Sequence, residues 1–299
     1  GVIRAAGVSN FLQEKHGMYF EGLALLSGLL NFQTLSPGTA NELPYVLGLP
    51  SLTATAFYHH KLAGFANVEE ALAQARDFAQ GDYARALLKG DALDEAGKRA
   101  VADKIARFTS LPAAQVLEQE LRISPTYFRE KLLFKEHKIL GRFDARVTSE
   151  DADQSQNQPE FDPSFTNIVG PFSAAVNAYI RGDLGYESDH PYNVLAQLPW
   201  RYNQATNRYL SMEGDLGEAM KTNPKMRVLV LVGRCDLAVP QDAMRYSVAH
   251  LPIPASLRKN IAFREFESGH MMYLLQSDAE KLRKDLLEFV HVDAARKIQ

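Results

Sequence analysis

The sequence predicts a mixed α/β protein in which a mostly parallel, helix-flanked sheet is interrupted by a large helical insertion. Two observations carry this. Met226 to Val232 reads M-R-V-L-V-L-V, a near-continuous apolar run of the kind buried on both faces of a parallel sheet. It stops in Gly233-Arg234-Cys235-Asp236 and is followed by helical spacing from Gln241 to His250. Strand-like alternation at Phe263 and Phe266 comes next, then a Ser268-Gly269 break that leaves His270 on a loop. Strand, Asp loop, helix, strand, His loop, helix places both Asp236 and His270 at the carboxyl ends of strands. It is also the chain order of the last two members of a Ser-Asp-His triad in the α/β-hydrolase fold, which is therefore the expected fold.

The earlier elements fit the same scheme. Gly1 to Lys15 carries a rough apolar stripe (Ile3, Ala6, Phe11, Leu12) closed by Gly17, so it reads as a helix. Phe20 to Leu30 is apolar over most of its length and suits a central parallel strand. From Ser36 to about Thr222 strand signals become sparse and amphipathic helical patterns dominate. Val68 to Leu88 is predicted as one helix with Asn67 as its N-cap and Glu69 and Glu70 in its first turn. Further helices are expected over Asp94 to Phe108, Pro112 to Leu121, Ser124 to His137 and Ser173 to Leu184. Between them, Leu140 to Val147 reads as a short extended segment, and the acidic stretch Glu150 to Asp162 as an exposed loop. The expected organisation is a discontinuous core, residues 1–35 and 223–299, with a mostly helical cap over 36–222.

Composition narrows the function. The 299 residues are 46% hydrophobic and 23% charged with a net charge of −3, which gives no electrostatic footprint for nucleic acid or an anionic membrane surface. The longest early apolar run, Leu23 to Leu30, is too short to span a bilayer. A single cysteine, Cys235, excludes an intrachain disulfide framework and a CxxC metal or redox pair. It reads as a small buried residue. His59-His60 is a poor metal pair, because adjacent residues point apart and no third ligand lies at suitable spacing. Neither a metal nor a cofactor is expected.

Five stretches resemble one family. G-R-C-D-L-A-V-P (233–240) followed by E-S-G-H-M-M-Y-L (267–274) is similar to the end of the serine carboxypeptidases, particularly their bacterial branch. L-L-S-G-L-L-N-F-Q-T-L (25–35) looks like that family's strand after the nucleophile helix. L-G-R-F-D-A-R (140–146) and D-L-G-Y-E-S-D (183–189) look like parts of the cap in that branch. The resemblance implies that His270 is the general base and acid, that Asp236 orients its imidazole, and that the substrate is a peptide losing carboxy-terminal residues. It also favours an extracytoplasmic location. The chemistry explains the residue types: a serine hydroxyl attacks only when a neutral His takes its proton, and a carboxylate fixes the tautomer and stabilises the imidazolium.

The nucleophile is the departure. No G-x-S-x-G elbow occurs in the sequence; Ser9 (G-V-S-N-F) lacks the second glycine and falls in a helix, and Ser27 falls in a strand pattern. The resemblance implies that Gly1 is the last glycine of the family's G-E-S-Y-G elbow. The serine, the oxyanion-hole amides and the family's carboxylate-binding residues are then expected ahead of Gly1 or within the elbow. The alternatives are a remnant or binding protein without catalysis on the hydrolase scaffold, and an esterase or other acyl hydrolase. Arg142, Asp144 and Arg146 alternate, so they are expected to share a strand face and pair within the cap. Trp200, Tyr192, Tyr202 and Tyr209 are expected to pack in a core by default.

Overall fold

The structure, a computed structural model, describes residues 1–151, 161–195 and 205–296, with side chains described up to residue 291. The first helix, α1 (Val2–His16), ends where Gly17 turns left-handed (φ 62°) and the Gly17 and Met18 amides bond back to the Gln13 and Leu12 carbonyls. β1 (Gly22–Leu26) follows and is shorter than the apolar run suggests, because Ser27 takes a positive φ of 44° and bends the chain away. Then come α2 (Leu43–Tyr58), α3 (Val68–Phe78), α4 (Ala84–Lys89), α5 (Glu95–Thr109), α6 (Ala113–Glu118) and α7 (Pro125–Lys131). Two short antiparallel strands, β2 (Lys138–Leu140) and β3 (Thr148–Glu150), precede α8 (Pro163–Ala178). α9 (Glu213–Thr222), β4 (Arg227–Gly233), α10 (Gln241–Ala249), α11 (Ala255–Arg258), β5 (Ile261–Phe266) and α12 (Gln276–Arg296) complete the chain.

β1, β4 and β5 form a parallel three-stranded sheet in the order β1-β4-β5, with Leu25 beside Val230 and Val230 beside Phe263. The apolar run that predicted β4 is explained by its two faces. Val228, Val230 and Val232 are buried with Val2 and Ala6 of α1, Leu216 and Met220 of α9 and Met244 of α10. Leu229 and Leu231 are buried on the other side with Phe266, Met272 and Leu282 of α12. Helices therefore cover both faces, and the chain moves from β1 to β4 to β5 with α9 and α10 on a common side.

The cap has a second core of its own, built from α2 to α7 and centred on α2, whose residues Val46 to Ala56 are all buried. Its helices start where capping predicts: Asn67 Oδ1 accepts from the Glu70 amide at 2.9 Å, and Asp94 and Ser124 do the same for Gly97 and Tyr127. Three expectations are corrected. The predicted helix over Val68 to Leu88 is broken by a π-helical turn at Ala79–Tyr83, which brings Tyr83 into the core to stack on Phe78 and donate its hydroxyl to the Leu121 carbonyl at 2.6 Å. α9, assigned to the cap by its place in the sequence, packs instead on α1 and the sheet through Leu216, Ala219 and Met220. α8 begins ten residues before the predicted Ser173, because Asp162 caps it by accepting from the Ser164 amide. Trp200, Tyr202 and the middle of the acidic stretch, 152–160, lie outside the described residues. Tyr192 and Tyr209 are exposed rather than packed in a core.

Cap and sheet are joined by charge as well as by apolar contact. Arg76 of α3 donates to Asp242 of α10 at 2.8 Å and to Glu265 of β5 at 3.1 Å, and Glu265 also pairs with Arg234 and Arg245. Asp242 is 4% exposed at its side chain. Burial pushes its carboxyl up and Arg76 works against that push. Removing one partner leaves a buried charge uncompensated, which costs about 3–5 kcal/mol. Arg76→Ala is expected to lose stability on that scale in urea unfolding, and the loss should shrink in acid, where a protonated Asp242 needs no counter-charge.

Candidate active site

Asp236 and His270 stand on the loops that leave the carboxyl ends of β4 and β5, and the structure brings them together. The Asp236 Oδ2 to His270 Nδ1 distance is 2.7 Å. The other carboxylate oxygen, Oδ1, accepts from the Ala238 and Val239 amides, both at 2.8 Å. Asp236 is 1% exposed, so these donors replace the water it has lost. The His270 side chain is 28% exposed, and its Nε2 bonds to no described residue.

The strands position the loops by close backbone approach. Arg234 N–H donates to the Phe266 carbonyl at 2.9 Å and Cys235 N–H to the Ser268 carbonyl at 3.1 Å, extending the β4–β5 pairing into the loops. A Cβ on Gly233 would lie 2.1 Å from the Gly269 carbonyl oxygen, and one on Gly269 would lie 2.1 Å from that of Phe143, so both positions exclude any side chain. Ser268 is held in turn by Asp278 of α12, whose Oδ2 accepts from the Ser268 amide at 2.8 Å and from its hydroxyl.

The third element of the site is residues 141–147, and here the sequence reading is corrected. The segment is not a strand but the turn between β2 and β3, closed by Gly141 N–H to the Val147 carbonyl (2.8 Å) and Val147 N–H to the Asp144 carbonyl (3.1 Å). Arg142, Asp144 and Arg146 do not share a strand face. Asp144 and Arg146 pair through two bonds of 3.0 and 2.7 Å, while the Arg142 guanidinium lies 3.9 Å from Asp162 instead. The backbone of this turn is stitched to both candidate catalytic loops. His270 N–H donates to the Phe143 carbonyl (2.6 Å), Leu237 N–H to that of Arg142 (3.1 Å), and Ala145 N–H to that of Cys235 (3.0 Å). Phe143 also places its ring 5.4 Å from the His270 ring. Periodicity does not report such a role, since the work is done by main-chain groups. The one usable signal was the closeness of charged residues to Gly141 and Phe143.

His59 belongs to this support. Its Nε2 lies 2.7 Å from the Ala145 carbonyl, and burial, opposed by that bond, lowers its proton affinity, so a neutral ring donates there. Cys235 is buried, free and pushed up to about 12 by desolvation, which makes it an inert packing residue beside Asp236. Ser9 donates to the Ala6 carbonyl within α1, and the buried Ser27 hydroxyl bonds to no described residue; neither bonds to His270.

Electrostatics set the protonation of the pair. Burial pushes the His270 imidazole down, but the charge and hydrogen bond of Asp236 outweigh it and leave His270 above its ordinary 6.5. Burial pushes Asp236 up, against the pull of His270 and the two amides. The two groups share one proton-binding unit; three donors on a single carboxylate favour its ionised form, so the pair is carboxylate and Nδ1-protonated imidazole. Such a site holds a tautomer, accepts a proton at Nε2 and stabilises the resulting cation. Comparison with protein-family models, curated proteins and solved structures finds no match to this chain.

Because the folded pKa is raised, the imidazolium form stabilises the fold fully below the unfolded-state value and loses that contribution as pH rises through the folded value. In NMR titration the His270 midpoint is expected above 6.5 in the unaltered chain. In Asp236→Asn, where burial acts unopposed, it is expected below that value.

Proposed function

We propose that this chain is the carboxyl-terminal part of a serine-type hydrolase of the α/β-hydrolase fold, and that among such enzymes it is a carboxypeptidase acting on peptide carboxyl ends. The observation that carries the reading is the 2.7 Å Asp236–His270 bond at the ends of adjacent parallel strands, with Nε2 unengaged. The parallel sheet with helices on both faces and a helical cap is compatible with this fold.

In this reading the nucleophile is a serine that comes before Asp236 and His270 in chain order. Its Oγ attacks the carbonyl of the last peptide bond as His270 Nε2 takes the hydroxyl proton. Asp236 holds the imidazolium. Collapse of the tetrahedral intermediate breaks the C–N bond, and the proton passes from Nε2 to the leaving amine. Water then repeats the sequence on the acyl-enzyme, releasing the shortened peptide and restoring the serine.

The test uses the protein as its source makes it, assayed on one peptide with a free and with an amidated carboxyl end. Cleavage of the free acid is expected, with loss on amidation and a fall in kcat of at least about a thousandfold in His270→Ala. Retained activity in His270→Ala would sink the triad assignment. Equal cleavage of the amidated peptide would move the reading to an esterase or other acyl hydrolase.

A further inference from the structure

The end of the sheet away from Asp236 and His270 holds a second cavity, of about 510 Å³, between the amino ends of β4 and β5 and α12. β4 runs from Arg227 to Gly233, so at about 3.3 Å per residue the cavity lies roughly 20 Å from the candidate catalytic loops. Strand alternation and register build it. Arg227 and Leu229 stand on one face of the sheet, and Leu229 is paired with Ala262 and Leu231 with Arg264, so Ala262 and Arg264 share that face. Leu229 is a buried floor, and Phe289 of α12 closes one side, with the Arg227 guanidinium over its ring at 4.7 Å from the centroid. The segments entering the two strands are tied together, because Asn260 Nδ2 donates to the Pro224 carbonyl at 2.8 Å and the Val228 N–H to the Asn260 carbonyl at 2.9 Å. Lys225 and Lys259 flank this tie and line the same cavity.

The charge of the cavity is one-sided. Lys225, Arg227, Lys259 and Arg264 line it, against the acids Asp285 and Glu288. Asp285 is matched by Arg264, whose Nε donates to Oδ1 at 3.2 Å, and Glu288 has Lys284, outside the lining, at 4.0 Å. The ammonium groups of Lys225 and Lys259 bond to no described residue, and both residues are exposed. A chain of net charge −3 thus carries, at this end, a concave cationic surface with two uncompensated lysines. Two ammonium groups suit a dianion. A phosphate monoester carries about −1.5 to −2 charges near neutral pH and presents three acceptor oxygens, which lysines meet as point charges. A carboxylate would compensate only one of them. The apolar floor and the Phe289 ring offer a place to the organic part of such an ester, which inorganic phosphate could not use.

We propose that this cavity is a binding site for the phosphate monoester of a small organic molecule, with the dianion held between Lys225 and Lys259 and the organic group against Ala262 and Phe289. The site is separate from the Asp236–His270 pair and does not depend on the acyl chemistry proposed for that pair.

The protein as its source makes it is titrated calorimetrically with phenyl phosphate, phenol and inorganic phosphate. Phenyl phosphate is expected to bind at least about tenfold more tightly than phenol and about threefold more tightly than inorganic phosphate. Lys225→Gln with Lys259→Gln should weaken phenyl phosphate by at least about tenfold. The urea midpoint should stay where it is, because both side chains are exposed. Lys135→Gln with Lys138→Gln, which removes two exposed lysines of the cap, should leave the affinity unchanged, as should His270→Ala. No binding of phenyl phosphate, equal binding of phenol or of inorganic phosphate, or undiminished affinity in the Lys225 and Lys259 double variant would overturn the inference. An equal loss in the cap double variant would also overturn it, as diffuse charge attraction, and so would loss of binding in His270→Ala, as binding at the candidate active site.

Discussion

A carboxylate that is almost fully buried is the constraint on which this structure turns. Asp236 is tolerated there because His270 and two main-chain amides satisfy it, and each of those donors is fixed by something else. The amides belong to the turn that leads into α10. His270 is fixed through its own N–H, which the Phe143 carbonyl of the cap accepts. An unpaired carboxylate at this depth would cost several kcal/mol, so the fold cannot keep Asp236 without keeping the loops in register. Close approach at Gly233 and Gly269 is the geometric form of that requirement.

The cap follows from the same constraint. Cys235 and Leu237, on either side of Asp236, are buried in the cap's own core, so the Asp loop is a shared wall between two apolar cores. The Arg76, Asp242, Glu265 and Arg234 network repeats the connection with charges. A helical layer described only as covering the sheet would miss this. Three main-chain bonds from residues 142–145 set the position of both candidate catalytic loops.

Much of this was legible in the sequence where side chains report their own burial. β4 was visible because both of its faces are covered, and Asp236 and His270 because they directly follow strand signals. The N-cap at Asn67 was visible because an amide-accepting side chain before a helical pattern has a specific use. What could not be read was work done by the backbone or by distant partners. The alternation of Arg142, Asp144 and Arg146 imitates a strand face, yet the segment turns because its carbonyls are claimed by amides far along the chain. The break at Ala79–Tyr83 depends on the Leu121 carbonyl, nearly forty residues on. α9 was misassigned because its apolar side is ordinary for any helix, and only α1 beside it decides where it belongs.

The role proposed for the Asp236–His270 pair is to activate a serine. The most direct measurement treats the protein, as its source makes it, with a fluorophosphonate and locates the adduct by mass spectrometry. A single adduct is expected on one serine other than Ser9 and Ser27, lost in His270→Ala. An adduct on Ser9, on Ser27 or on no serine at all would contradict it and leave the paired carboxylate and imidazole without the nucleophile they are proposed to activate.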